Sequence, residues 1–420
     1  MKLALAVKAS LPLIAVTTRD TVNFPEVLAH ITGKKPKIWA PASQNKFDHN
    51  SLYFWICPKG FDKRLPLESL YDQCTNSEST LIIVNVNQME PVFFDCGEVE
   101  VPKDMLVKSL AEIVEDEGAA NALARSLGGV TLKEAVELSR LTMAGTAALE
   151  PDGVMATRKL FFAPSQGFTQ VDTKQAYYKP SGELTEWIED EGGYFLTGKD
   201  NRLRARGLLF TGHPGTGKTS GAKFIAHSLG VPLFRLDIAS TKNKYVGSSE
   251  ANLLAALTRI DGESPAVLLV DEIEKVFGAT AGNDSGTTSG MLSQLLWWLQ
   301  EHTSRILTVM TTNNLKAIPI ELHRSGRIDK RITTEGLTSQ DATAFVKQLL
   351  PTFDEWKSEA NINDIAGIVK RAFNENTIPD TNPKEVPHSE VTEQVHKFVK
   401  HKITIGNGLS EMFNLKGKAS

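Results

Sequence analysis

Twelve consecutive residues, Leu208-Leu-Phe-Thr-Gly-His-Pro-Gly-Thr-Gly-Lys-Thr219, constrain this chain more than any other feature. Gly212, Gly217, Lys218 and Thr219 satisfy the spacing GxxxxGK[ST]; His213, Pro214, Gly215 and Thr216 lie between them and Ser220 follows. The apolar run Gly207–Phe210 predicts a buried strand before the loop, and Ala222, Ile225 and Ala226 predict a helix after it. In that setting glycines let successive backbone N–H groups curl around phosphate oxygens, and the helix N-terminus adds the positive end of its dipole. Lys218 is then expected to reach the β- and γ-phosphates of a nucleotide, and the Thr219 hydroxyl to bind Mg2+. A Gly-rich surface turn is the bland alternative, but it requires neither the strand nor the helix.

Three later segments fit that loop. Ala266-Val-Leu-Leu-Val-Asp-Glu272 reads as a buried strand ending in two acids, which a parallel sheet places at its carboxyl edge. Asp271 is expected to hold Mg2+ through water and Glu272 to polarise an attacking water. Such a strand is a weak signal alone and a strong one downstream of a phosphate loop. Ile306-Leu-Thr-Val-Met-Thr-Thr-Asn313 is a further β-rich run, and Asn313 either bonds the γ-phosphate or its water, or caps the turn into Ile318-Pro319. Arg324-Ser-Gly-Arg-Ile-Asp329 sets two guanidiniums three residues apart. Arg324 and Arg327 can project into a neighbouring subunit's site and neutralise a transferring phosphoryl group, or form surface salt bridges with Asp329 or Glu321.

Taken together, and in this order over roughly residues 180–335, the four motifs resemble an ATPase of the AAA family. The stretches Asp271–Phe277, Gly282–Gly286, Leu295–Glu301 and Pro319–Arg327 are similar more narrowly to cyanobacterial and plastid-encoded AAA ATPases of unassigned role. The resemblance implies an α/β fold: a P-loop NTPase parallel-sheet domain over 184–335 with a helical lid over 336–420. It implies ATP and Mg2+ as cofactors, Asn313 as the sensor-1 residue, and Arg324 and Arg327 as paired arginine fingers in a ring of like subunits, a hexamer. It also implies a pore loop at Lys244, Tyr245, Val246 and Gly247, where Tyr245 grips an extended polypeptide through its ring; packing on its own domain is the alternative. The second loop, 278–290, is Gly/Ser/Thr-rich with Asp284 its one charge, and does not read as a DNA-binding loop. The sequence departs from the family at three places. Ala366-Gly367 is the nearest thing to the lid Gly-Ala pair that contacts adenine, Ser181-Gly182 replaces the usual Gly-Gly, and Gly290 stands where an arginine is expected.

Ahead of this lies a segment of different texture. Short apolar runs over Leu11–Thr18, Lys37–Trp39, Ser51–Ile56, Thr80–Val86 and Glu98–Val101 predict strands. Three helices follow, one opened by Pro102, one over Ala119–Leu127, and one over Thr131–Met143 beginning at a Thr-x-x-Glu capping box. This is the outline of a nucleotide-binding α/β unit with a helical lid, yet it has no Gly-rich loop, and Leu81–Val86 ends without an acid. We therefore expect residues 1–150 to be a degenerate AAA-like domain, joined by a polar link over 151–183. Further helices are expected over Gln340–Leu350, Asn363–Phe373 and Glu390–Lys402, with a mobile loop at 375–389.

Composition sets the outer limits. Lys plus Arg total 46 against 50 Asp plus Glu, a formal charge of −4, which disfavours binding nucleic acid by bulk charge. At 23% charged and 41% hydrophobic the 420-residue chain is composed like a soluble globular protein, and no stretch reaches the ~18 apolar residues of a membrane span. The first ten residues faintly resemble a signal peptide, but Lys8 interrupts the apolar run. Cys57, Cys74 and Cys96 are odd in number and lack CxxC spacing, so a reducing, cytoplasmic setting is expected. Arg202, Arg204 and Arg206 read as a solvated face or ring interface, as do the basic residues of the last helix, and the aromatics near 177–195 as packing. The leading functional expectation is an ATP-driven motor that remodels or threads a protein substrate. A DNA-directed loader or transposition-type regulator, or a nucleotide-switched ring scaffold, are the alternatives.

Overall fold

The computed structural model describes residues 2–41, 46–61, 65–145, 148–162, 167–173, 178–238, 248–277, 285–324, 326–353, 362–375 and 384–401. The chain divides into two units, one up to Thr157 and one from Arg158 onward.

In the first unit, apolar pentapeptides become strands because both of their faces are covered. Strands β1 (Leu13–Thr17), β2 (Lys37–Ile38), β3 (Leu52–Ile56), β4 (Thr80–Val84) and β5 (Phe94–Glu98) form one parallel sheet in the order β2-β3-β4-β1-β5. Alternate residues feed two cores: Ile14, Val16, Ile82 and Val84 pack on one face, Leu13, Leu81 and Ile83 on the other. That is why β1, β3 and β4 read as continuous apolar runs rather than alternating ones. Helices α1 (Lys2–Lys8), α2 (Phe24–Thr32) and α3 (Leu67–Asn76) accompany the sheet, and α4 (Lys103–Val114), α5 (Glu117–Ser126) and α6 (Leu132–Gly145) follow it. The faintly signal-like N-terminus is α1, with Leu3, Ala6 and Val7 in the core. The expected capping box closes in both directions: the Thr131 N–H donates to Glu134 Oε2 at 2.8 Å, and the Glu134 N–H to Thr131 Oγ1 at 3.1 Å.

Helix α7 (Pro151–Phe161) carries the chain across the division, and β6 (Phe168–Val171) follows. The stretch expected to be a polar link thus contributes an edge strand, antiparallel to β8 (Leu233–Leu236) with Phe168 opposite Leu236. Phe168 is fully buried and stacks on Phe234 at 5.2 Å, a contact between residues too far apart for local pattern to reveal. The second unit continues with α8 (Gly182–Thr197), β7 (Gly207–Thr211), α9 (Lys218–Leu229), α10 (Ser248–Asp261), β9 (Ala266–Val270), α11 (Ile273–Phe277), α12 (Ser285–Glu301), β10 (Ile306–Thr312) and β11 (Lys330–Thr333). Its sheet runs β11-β7-β10-β9-β8-β6, parallel except for β6. A helical portion closes the chain: α13 (Ser339–Leu349), α14 (Ile362–Glu375) and α15 (388–401) share one core, and β12 (Leu337–Thr338) pairs with β13 (Glu385–Val386). Part of the loop expected at 375–389 is therefore strand and helix start; 376–383 lie outside the described residues.

The two sheets have the same strand order, β5-β1-β4-β3-β2 in one and β11-β7-β10-β9-β8 in the other. The Val99 N–H donates to Thr17 O at 2.7 Å as the Thr334 N–H donates to Thr211 O at 2.8 Å. This alters one expectation. Strand β4, judged above for a terminal acid, matches β10; the strand in the position of β9 is β3, which leads into Cys57-Pro58, also without an acid.

Candidate functional site

Three adjacent strands deliver the site. Strand β10 lies between β7 and β9, all parallel, so the phosphate loop, Asp271-Glu272 and Asn313 leave the sheet at one edge. Ligands of open parallel sheets bind beyond that edge. Within the loop Gly215 and Gly217 have φ of +80° and +87°, where an L side chain is strained. Gly215 is also approached closely: a Cβ there would lie 2.1 Å from Ser389 Oγ.

Lys218 opens α9 and is 8% exposed. Its Nζ donates to the carbonyls of Gly212 at 2.9 Å and His213 at 2.7 Å, while the His213 side chain faces solvent. Burial lowers the Lys218 pKa, against the opposing charges of Glu274, Asp271 and Glu272. Thr219 Oγ1 donates to Asp271 Oδ1 at 3.2 Å, and so does Thr311 Oγ1 at 2.5 Å. Thr311 in turn accepts the Glu272 N–H at 2.9 Å, so one hydroxyl of β10 fixes both acids. Sequence reading passed over Thr311. Its signal was the Thr311-Thr312 pair closing a strand that is wholly buried.

Glu272 has φ +52°, uncommon for a non-glycine residue, and its carboxylate meets Lys275 Nζ at 2.6 Å. Both side chains are well exposed, so this ion pair holds the acid only weakly. Glu274 Oε1 accepts the Asn313 N–H at 3.1 Å, and its Oε2 is buried without a hydrogen-bond partner among the described residues. The Asn313 side chain is exposed at the edge, and the capping role weighed for it falls to Asn314, which accepts the Lys316 N–H at 3.1 Å. Arg324 is exposed. Arg327 donates to the Glu321 carbonyl at 2.7 Å and to Gln300 Oε1 at 3.2 Å, while the Asp329 carboxylate takes the N–H groups of Arg206 and Gly207. The surface salt bridges weighed for the two arginines are not the arrangement found among the described residues. Lys244, Tyr245, Val246 and Gly247 lie outside the described residues.

The helical portion touches the loop where the sequence did not indicate. Ala366 is exposed on α14 and Gly367 has nothing within 4 Å of where a Cβ would sit. Instead the Ser389 N–H donates to Gly215 O at 3.2 Å. His388 lies between Tyr178 (6.2 Å, 27° between planes) and Phe345 (5.7 Å, 87°), and both of its ring nitrogens are buried without a hydrogen-bond partner among the described residues. A cavity of about 500 Å³, bordered by Gly212, His213, Asn313, Thr334, Glu385 and Pro387, separates loop, strand end and lid. That volume is in the range of small-molecule sites. Arg204 and Arg206, expected on a solvated face or a ring interface, donate to the carbonyls of Thr303 and Ser304 and of Leu299 and Gln300.

Residues 208–336 match the family described as "ATPase family associated with various cellular activities (AAA)". The second unit carries an AAA-family ATPase domain. Relatives agree. The "Uncharacterized AAA domain-containing protein ycf46" of Guillardia theta is 40% identical over 126 residues, 30% of this chain and 25% of that protein. Its namesake from Trieres chinensis is 28% identical over 335 residues, covering 74% of this chain and 65% of the relative. The "ATP-dependent zinc metalloprotease FtsH" of Thermotoga maritima is 30% identical over 200 residues, 42% of this chain and 33% of that protein. The matches thus span between 25% and 65% of these relatives' lengths. No described helix is long and apolar enough to cross a membrane.

Proposed function

We propose that the second unit binds ATP with Mg2+ and hydrolyses it, within a ring of like subunits, and that the cycle remodels or threads a protein substrate. The observation that carries this reading is the convergence of Lys218, Thr219, Asp271, Glu272 and Asn313 on one sheet edge. The donor set suits the cofactors. Among the described residues no cluster of three or more His, Cys, Asp and Glu side chains could hold a metal unaided. Mg2+ needs no such cluster, since one or two protein oxygens plus nucleotide phosphates suffice, and Thr219 with Asp271 offers a hydroxyl and a carboxylate. When bound, the ion neutralises charge on the phosphate oxygens. Lys218, desolvated at the helix start, supplies a fixed positive charge to the same oxygens. Glu272, placed by Thr311, orients and deprotonates the attacking water, and Asn313 hydrogen-bonds that water or the γ-phosphate.

Arg327 is held by the backbone carbonyl of Glu321 and by Gln300 Oε1 and meets no carboxylate among the described residues, so its charge is available across a subunit boundary with Arg324 beside it. The first unit's strand order supports reading it as a degenerate AAA-like domain. Tyr245 is the proposed gripping residue, and the N-terminal unit the proposed platform for substrate or partner. The FtsH name, that of an ATP-dependent protease, favours a polypeptide over DNA as the substrate. The deciding experiment is Glu272→Gln in an ATPase and nucleotide-binding assay. The variant should retain ATP and lose most turnover; hydrolysis at the native rate would show that another residue positions the water.

A further inference from the structure

The turn after β1 occupies the place of the phosphate loop and carries a carboxylate at its centre. Strand β1 ends at Thr17 and α2 begins at Phe24, so residues 18–23 span as many positions as 212–217 between β7 and α9. Thr18-Arg-Asp-Thr-Val-Asn23 contains no glycine, and Phe24-Pro25 stands in the places of Lys218 and Thr219. Asp20 is 4% exposed. Its Oδ1 accepts the Asn23 backbone N–H at 3.1 Å and the Asn23 side-chain amide at 3.0 Å. Its Oδ2 accepts the Leu132 N–H at 2.7 Å. Leu132 is the first residue of α6, and the capping box formed by Thr131 and Glu134 leaves that N–H free for Asp20. The loop is pinned on its other side. The Thr18 N–H donates to Asn85 Oδ1 at 2.9 Å, Asn85 Nδ2 donates to Thr18 O at 3.0 Å, and Thr18 Oγ1 donates to Val99 O at 2.9 Å.

A buried carboxylate is tolerable where N–H donors replace its lost hydration, and converging amide donors on a turn and a helix start are what an oxyanion requires. We propose that loop 18–23 is an oxyanion cradle filled by the chain's own carboxylate. Asp20 takes the position of a bound phosphate and ties the start of α6 to the end of β1 without any nucleotide. The cradle accepts small oxyanions as a class, and removing Asp20 vacates it for one from solution. The proposal rests on the first unit's geometry and not on hydrolysis in the second.

Hydrogen exchange of the full-length chain, followed at the Asn23 and Leu132 amides, tests it. Asp20→Ala should accelerate exchange at both by at least about tenfold. Added formate or sulfate should slow both again, saturably and beyond the effect of chloride at equal ionic strength. Asp20→Asn keeps a single carbonyl acceptor, so only the amide facing that oxygen should stay protected. Exchange in Asp20→Ala that matches the native chain overturns the proposal, as does anion rescue no greater than chloride's. If Asp20→Ala does not fold, the asparagine contrast decides alone: protection kept at one amide supports the cradle, and loss at both or at neither refutes it.

Discussion

Two histidines of the second unit are held neutral. Desolvation between Tyr178 and Phe345 pushes the pKa of His388 down to about 4, and His302, stacked 4.4 Å from Trp298, is likewise at about 4 through burial and then the charge of Arg206. Unfolded imidazoles titrate near 6.5. Above that pH both folded and unfolded forms are neutral and the histidines leave stability unchanged. Between 6.5 and 4 only the unfolded chain takes up the proton, so acid withdraws stability at about 1.4 kcal/mol per pH unit for each histidine. His388→Phe keeps an aromatic ring in the stack and removes one of the two titrations. Comparing urea midpoints at pH 7 and pH 5, the variant should lose on the order of 2 kcal/mol less than the native chain. Equal acid sensitivity in both would mean that His388 is already charged in the fold. The same residue marks a limit of sequence reading. Lys218, Thr219 and the paired acids are legible because their spacing states their chemistry, whereas His388 reaches Gly217 only through the docking of α15.

Elements show the same division between local and distant causes. Strands β1, β3, β4, β7, β9 and β10 could be read from their apolar runs, and α6 from its capping box, because each signal lies within the element. The pairing of β6 could not, nor could the roles of Arg204 and Arg206, since both depend on partners far along the chain. The two arginines lead into β7, yet their guanidiniums bond the last carbonyls of α12 and the turn after it, groups that no helix can satisfy internally. Arg327 bonds Gln300 on that same helix end. Arg206→Ala should therefore cost about 1 kcal/mol by removing the donor shared by the partly exposed carbonyls of Leu299 and Gln300. ATP affinity should be retained, because the phosphate loop is untouched. A thermal midpoint equal to that of the native chain would show that water replaces the arginine without loss.

At the scale of the whole molecule, one strand order serves twice: one sheet supplies glycines, lysine and paired acids at its edge, the other a self-filled turn. The proposed hydrolysis belongs to the second unit, and in the proposed ring its completion depends on what Arg327 meets across a subunit boundary. If it acts across a boundary, Arg327→Ala should bind ATP normally and lose most hydrolysis; arginine fingers contribute about 10³–10⁵ in rate. Mixing two inactive proteins makes the test sharper. Lys218→Ala subunits cannot hold the β- and γ-phosphates but present an intact Arg327, and Arg327→Ala subunits hold ATP but lack the finger. In co-assembled rings some boundaries pair a sound phosphate site with a sound arginine, so activity should return in part and peak at intermediate ratios. Two ring-forming variants that stay inactive at every ratio would place Arg327 in its own subunit's site or require every subunit to be competent. Arg324→Ala mixed in the same way separates the two guanidiniums. Arg327, held by Glu321 and Gln300, is the expected phosphate contact, and Arg324, exposed at the same bend, its interfacial partner.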